Sequence, residues 1–232
     1  VLGMDYSLFF GGKKKSKKCQ KSWSIVVDAG HGGCDGGAES FGLKEKDITL
    51  DIARRVRKDL ISKGYKVYLT RNDDSSVSLV DRFCLANQMH ANLFVSIHVN
   101  AFPALERVSG VETHYLDRSA YFGHGRRELF SFAKTEHDKK LSEVADLSLK
   151  EKIDVAQDLS KNIQQGLVGH LKSKNVGIVD RGLKRTFLRT FLRNEAPAAV
   201  VEVGFLTNKA EAKKLSKVWY RKEISQGISS GI

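Results

Sequence analysis

With 232 residues, of which 41% are hydrophobic and 28% charged, the chain has material for one sizeable core and no sign of a second. Three cysteines, Cys19, Cys34 and Cys84, are too few and odd in number for a disulfide scaffold. No apolar run approaches the roughly 18 residues that a membrane-spanning helix needs, and the net charge of +12 keeps anionic partners in view.

That charge is unevenly placed. Lys13, Lys14, Lys15, Lys17, Lys18 and Lys21 face only Asp5, which leaves about +7 on the rest. Residues 1–22 therefore read as a basic, flexible leader, and Leu8-Phe9-Phe10 is too short for a signal-peptide core. The first strand signal, 24–28, breaks into Gly30-His31-Gly32-Gly33. Glycines on both sides of an imidazole suit a backbone that must approach a ligand or take positive φ, although a turn-capping histidine has the same pattern. Asp28, beside it, is a candidate partner for the ring's second nitrogen, or simply a turn cap. A helix follows over 46–63, with Leu50, Ala53, Val56, Leu60 and Ile61 on one face and Gly64 as its stop. Glu45 stands at its mouth between Lys44 and Lys46, where a helix dipole also favours a plain carboxylate.

Strand 66–70, helix 78–90 and strand 93–98 come next, and the last ends in His98. An imidazole closing a buried apolar run must find a partner. Strand 111–116 carries His114, a candidate substrate contact whose plainer reading is a solvent-facing ring. An insert at about 118–150 has a helix at 138–148 and contains Ser131-Phe132-Ala133-Lys134, a serine–lysine spacing used in acyl transfer, so a D,D-carboxypeptidase activity is a remote reading. A helix at 152–172, strands at 186–192 and 198–203, and helices at 208–216 and 219–230 complete the chain. Glu202 sits near the end of the last strand; a buried carboxylate there is functional, or is paired with Arg189 or Arg193. Arg181, Lys184, Arg185, Arg189 and Arg193 form a basic cluster that suits substrate carboxylates, or merely lines the solvent face of a strand.

The alternation predicts one α/β domain over 23–232: a twisted, mostly parallel six-stranded sheet flanked by helices, with its ligands at the carboxyl edge. His31, Glu45 and His98 supply two imidazoles and a carboxylate, which give Zn²⁺ three ligands and leave a position open for chemistry. Hydrolysis also needs a proton carrier, and Glu202 qualifies. Cys34 would close the open position, so it is expected as an exposed loop thiol.

Four segments carry a family resemblance: Val27-Asp28-Ala29-Gly30-His31-Gly32-Gly33, Gly42-Leu43-Lys44-Glu45-Lys46-Asp47-Ile48-Thr49-Leu50, Ser96-Ile97-His98-Val99-Asn100-Ala101 and Val201-Glu202-Val203-Gly204-Phe205-Leu206-Thr207-Asn208. In order and spacing they resemble the zinc-dependent N-acetylmuramoyl-L-alanine amidases of the amidase-3 family. Ala29 and Gly36 stand where that family commonly has proline. The resemblance implies one Zn²⁺ on His31, Glu45 and His98, a catalytic Glu202, and peptidoglycan as substrate. It also implies wall remodelling or daughter-cell separation by an exported monomer in the periplasm or cell envelope. Some relatives carry an autoinhibitory helix in the insert, released by an activator protein. Here Glu136, Glu143 and Asp146 would be the blocking acids, but the insert is short and its acids are matched by Lys139, Lys140 and Lys150. The rival class is a metal-free module holding wall polymer or nucleic acid. No nucleic-acid motif accompanies the charge, and such a module has no use for the zinc-plus-glutamate set.

Overall fold

Strand β1 (Ser24–Ala29) is buried at every position, and β5 (Leu93–Asn100) at every position except His98 and Asn100. Apolar strands of this kind need cover on both faces of a sheet. This computed structural model describes residues 23–116, 136–186 and 194–232. After the antiparallel pair β2 (Glu39–Ser40) and β3 (Leu43–Lys44), the remaining strands are β4 (Lys66–Leu69), β6 (Val111–Leu116), β7 (Asp180–Thr186) and β8 (Ala198–Phe205). The main sheet has six strands in the order β4-β1-β5-β8-β6-β7. Its pairings are parallel except that β6 runs antiparallel to β8. The predicted architecture is present.

Five helices complete the described fold: α1 (Glu45–Ser62), α2 (Leu79–Gln88), α3 (Glu136–Ser173), α4 (Lys209–Leu215) and α5 (Val218–Gly231). One face of the sheet, with Val27, Val95, Ile97 and Val201, packs on Ile52 and Val56 of α1, Ile163 and Leu167 of α3, and Ile224 and Ile228 of α5. The other face, with Val26, Phe94, Ala198 and Val200, is covered by Phe83 and Ala86 of α2 and by Ile153. Each of the valine, leucine, isoleucine and phenylalanine side chains among them contributes roughly 1.5–3 kcal/mol when fully buried. The buried stripe of α1 is Ile48, Ile52, Ala53, Val56 and Leu60, whereas Ile61, expected on it, is 45% exposed. Gly64, at φ +92°, ends the helix as predicted.

One sequence expectation needs correcting. The helices read at 138–148 and 152–172 are one helix of 38 residues, because no proline or glycine interrupts 136–165. The strand read at 186–192 lies, apart from Thr186, outside the described residues; β7, which the sequence reading passed over, precedes it and pairs with β6 through a register shift between Val111 and Thr113. Its mixed polar sequence hid it, since pairing with β6 rather than apolar alternation sets its place. Residues 187–193 lie outside the described residues, as do 1–22 and the Ser131–Lys134 motif.

Parallel β1, β5 and β8 all end at one edge, and antiparallel β6 begins there. The register His98–Glu202–Glu112 therefore runs across β5, β8 and β6 as neighbours in space.

Candidate active site

The chain leaves β1 through Gly30, where a Cβ would lie 2.4 Å from Cε1 of His98, so only glycine passes beneath that ring. His31 itself adopts φ +60°, a left-handed conformation that non-glycine residues take at a cost of order 1–3 kcal/mol. Two buried arginines stabilise this turn through its carbonyl oxygens. Arg82 on α2 donates to the carbonyls of Ala29 (2.7 Å) and His31 (2.8 Å). Arg71, just after β4, donates to those of Ala29 (3.0 Å) and Gly30 (2.9 Å).

The β2–β3 turn then brings in Glu45, the first residue of α1. Its Oε2 lies 3.2 Å from Nε2 of His31 and its Oε1 3.0 Å from Nδ1 of His98. The ligand atoms of these three residues all fall within 4.8 Å of one another. The backbone N–H groups of Ala38 and Val99 each donate to the Glu45 carboxylate at 2.9 Å, which fixes its orientation. Burial alone would raise the pKa of Glu45, but hydrogen bonds from His31 and His98 outweigh it and hold the carboxylate ionised. The hydrogen bond to Glu45 raises His31 to about 9. For His98 burial opposes the charge, yet Glu45 and Glu202 raise its proton affinity overall. Two imidazoles and a carboxylate converging on one point are a donor set that fits a divalent zinc ion, and protons occupy those donors when no cation does.

A proton held this firmly by His31 has to leave when a cation enters. Zinc affinity should therefore fall about tenfold per pH unit for each proton displaced as pH drops below His31's pKa of about 9. Competition against a chromophoric chelator at several pH values measures this; a flat profile would contradict it.

Nδ1 of His31 donates to Asp35 Oδ2 at 2.8 Å. Asp28, which the sequence offered as this ring's partner or as a turn cap, does not meet it. Asp28 is buried and accepts from Arg82 (2.5 Å), Thr70 (2.6 Å) and Ser96 (2.5 Å) instead. Burial pushes its pKa up, but Arg82 and the two hydroxyls more than compensate, so it stays charged. Asp35→Ala should accordingly weaken zinc binding roughly 10–100-fold, read by the same chelator competition, while the thermal transition of the zinc-free protein moves little.

Glu202 lies beside His98 across the β5–β8 pairing. Its Oε2 is enclosed and has no hydrogen-bond partner among the described residues. Burial, reinforced by the Glu45 and Glu112 charges, pushes its pKa up to about 7 against the pull of His98 and His114. Arg189 and Arg193, the alternative partners, are outside the described residues. Next to Glu202 across β6 is Glu112, which the sequence reading passed over. Its oxygens accept from His114 (3.1 Å), Asn100 (3.0 Å) and Arg181 (2.7 Å). The His114 hydrogen bond, with Arg181, lowers its pKa to about 2 despite burial. A lone carboxylate in the alternating strand 111–116 was the signal for it, by the logic that had singled out Glu202. Cys34 is exposed, as expected, and is not among the converging donors. The side chains of Glu136, Glu143 and Asp146 lie outside the described residues.

A cleft of about 490 Å³ opens from this centre toward α2, with His31, His98 and Glu202 at one end and Leu79, Phe83, Phe94 and Val200 along its apolar wall. A carboxyl group near neutrality beside a three-donor cation cage, at the carboxyl edge of a parallel sheet, is equipment for activating water against a carbonyl.

The class narrows to a family. The chain belongs to the N-acetylmuramoyl-L-alanine amidase family, whose sequence profile matches residues 25–232. Its reaction is hydrolysis of the amide joining N-acetylmuramic acid to L-alanine in peptidoglycan, and the family is typically zinc-dependent. The endolysin of Bacillus phage SPP1 is 34% identical over 90% of this chain and 64% of its own length. The germination-specific N-acetylmuramoyl-L-alanine amidase of Bacillus subtilis is 31% identical over 91% of this chain and 82% of its own. The Clostridioides difficile CwlD amidase, solved in complex with the GerS lipoprotein, superposes with a TM-score of 0.68 at 29% identity, covering 90% of this chain and 96% of that one.

Proposed function

We propose that His31, Glu45 and His98 hold one Zn²⁺ and that Glu202 carries the proton during cleavage of the muramoyl-L-alanine amide. A zinc ion so held supplies electrophilic polarisation of the scissile carbonyl and acidifies water to a pKa of about 7. Glu202 takes a proton from the attacking water and delivers it to the L-alanine nitrogen, so that one carboxyl serves as base and then acid. Its enclosure sets its proton affinity near neutrality, where it both accepts and returns a proton readily. Asp35 fixes the His31 ring, and the Ala38 and Val99 amides fix Glu45, so the donors need little reorganisation. The products are the lactyl carboxylate of the glycan and a stem peptide with a free amino terminus.

The observation that carries this reading is the enclosed Oε2 of Glu202, without a hydrogen-bond partner among the described residues, beside the His31–Glu45–His98 cage. Purified sacculi incubated with the protein test it. New amino termini should appear on L-alanine, with no new reducing ends on the glycan. Reducing ends without new amino termini would assign the activity to a glycosidase instead.

Peptidoglycan lies in the cell envelope, so we place the protein there, in the periplasm where one exists, working in wall remodelling or daughter-cell separation. No helix among the described residues is long and apolar enough to cross a membrane. The CwlD–GerS complex supports a protein partner for this chain as well; residues 118–150 are the segment we propose it would act on, with 1–22 as a basic leader outside the catalytic domain.

A further inference from the structure

Of the basic cluster on and after β7, Arg181 is the member held by an ion pair to Glu112, the strand neighbour of Glu202. We infer that it anchors a carboxylate of the stem peptide, on the residue that follows L-alanine. This inference rests on the amidase reading above and adds a substrate preference to it.

Two contacts fix the guanidinium. Nε donates to Glu112 Oε2 at 2.7 Å. The guanidinium carbon lies 5.0 Å from the centroid of the Phe205 ring. Glu112 is itself anchored by Asn100 and His114. Among the described residues the Nε bond is the only hydrogen bond from this guanidinium, and the side chain is 33% exposed. Its two Nη groups therefore present a ready fork, and little side-chain freedom is lost when a carboxylate docks on them. Bidentate pairing of this kind is what arginine does better than lysine.

Position supports the same conclusion. Glu112 is the register partner of Glu202 across β6 and β8, and adjacent strands are about 4.8 Å apart. Arg181 reaches back from β7 to Glu112, so its guanidinium lies about one strand spacing beyond the proton carrier. An extended peptide advances about 3.3–3.6 Å per residue. A peptide with its first nitrogen at Glu202 and running toward β7 thus brings the side groups of its second residue to Arg181. In peptidoglycan that residue is D-glutamate, whose α-carboxyl is either free or amidated. Glu112 offsets much of the arginine's charge, so the recognition comes from the directed Nη donors, with Lys184 adding positive charge as the β7 neighbour of His114. A carboxamide offers one acceptor oxygen and a repelling NH₂ group where the carboxylate offers two acceptors.

The test compares N-acetylmuramoyl-L-alanyl-D-glutamate with its α-amide as substrates of the full chain, and Arg181→Gln and Arg181→Lys with the wild type. Wild type should favour the free acid. Arg181→Gln should raise KM for the acid about 10–100-fold with little change in kcat, and should abolish the preference. Arg181→Lys, which keeps an ion pair for Glu112 but not the fork, should recover part of it. Equal losses on acid and amide, or a fall in kcat alone, would reduce Arg181 to a structural residue and overturn the inference. Calorimetric binding of the product dipeptide L-alanyl-D-glutamate and its amide, on zinc-free protein, separates the two levels. A carboxylate preference that Arg181→Gln removes, in a protein that hydrolyses neither substrate, sustains the anchor and sinks the amidase reading. Turnover with a preference indifferent to Arg181→Gln does the reverse.

Discussion

Glu202→Gln should lower kcat by roughly 10²–10⁴-fold while zinc content and the fold stay unchanged. The amide keeps the volume of the side chain and can fill the same enclosure, but it cannot take a proton from water and return it to a leaving nitrogen. The same variant has a second readout. Burial raises the folded-state pKa of Glu202 from the ordinary 4.5 to about 7. A carboxyl with a raised folded pKa contributes stability that is fully present below its unfolded pKa and lost as pH rises through the folded one. Zinc-free wild type should therefore lose stability between about pH 4.5 and 7 from this group, and Glu202→Gln should lose less across that window. Stopped assays on sacculi, elemental zinc analysis and denaturant titration at several pH values measure the three quantities. Near-normal turnover in a zinc-loaded Glu202→Gln would remove Glu202 from the chemistry.

Zinc removal should have an equally large effect. With the cage stripped by a chelator, turnover should fall at least about a thousandfold, since electrophilic activation of the carbonyl contributes several kcal/mol to the transition state. Added Zn²⁺ should restore it. His98→Ala should mimic the chelator, because the remaining donors, His31 and Glu45, cannot complete the set. A second, independent signature is thermal. A cation that binds only the folded cage stabilises it by about 4 kcal/mol at a thousandfold excess over Kd, so the zinc-loaded protein should melt higher than the stripped one. His98→Ala should lose that increment. Full activity in protein shown to be free of zinc would sink the metal proposal, whatever the melting data.

The two experiments probe different parts of one device. Glu45 joins His31, in the turn after β1, and His98 on β5 to the start of α1, and the pairing of His98 with Glu202 joins them to β8. Arg71 and Arg82 hold the turn that makes the first half possible, and they do so mostly through backbone carbonyls, which no charge-pair search of the sequence would reveal.

By itself the sequence determined the order of elements and the donors that converge in the cleft. His31, His98 and Glu202 each interrupt or end an apolar run, and a polar group there must be satisfied by something specific. Glu45 was legible only because a helix had to begin at that point and because the four segments resembled one family in register. The tertiary structure decided what those donors touch. Asp35 rather than Asp28 meets His31, and Asp28 is instead engaged by Arg82, Thr70 and Ser96, contacts that only the folded chain brings together. The position of β7 followed from its pairing with β6, not from its own pattern. Glu112 and Arg181, 69 residues apart, meet only because two strands align. Local pattern records which groups cannot stay unpaired in a core; the partner each one takes is a long-range contact, and those are set when the sheet closes its register.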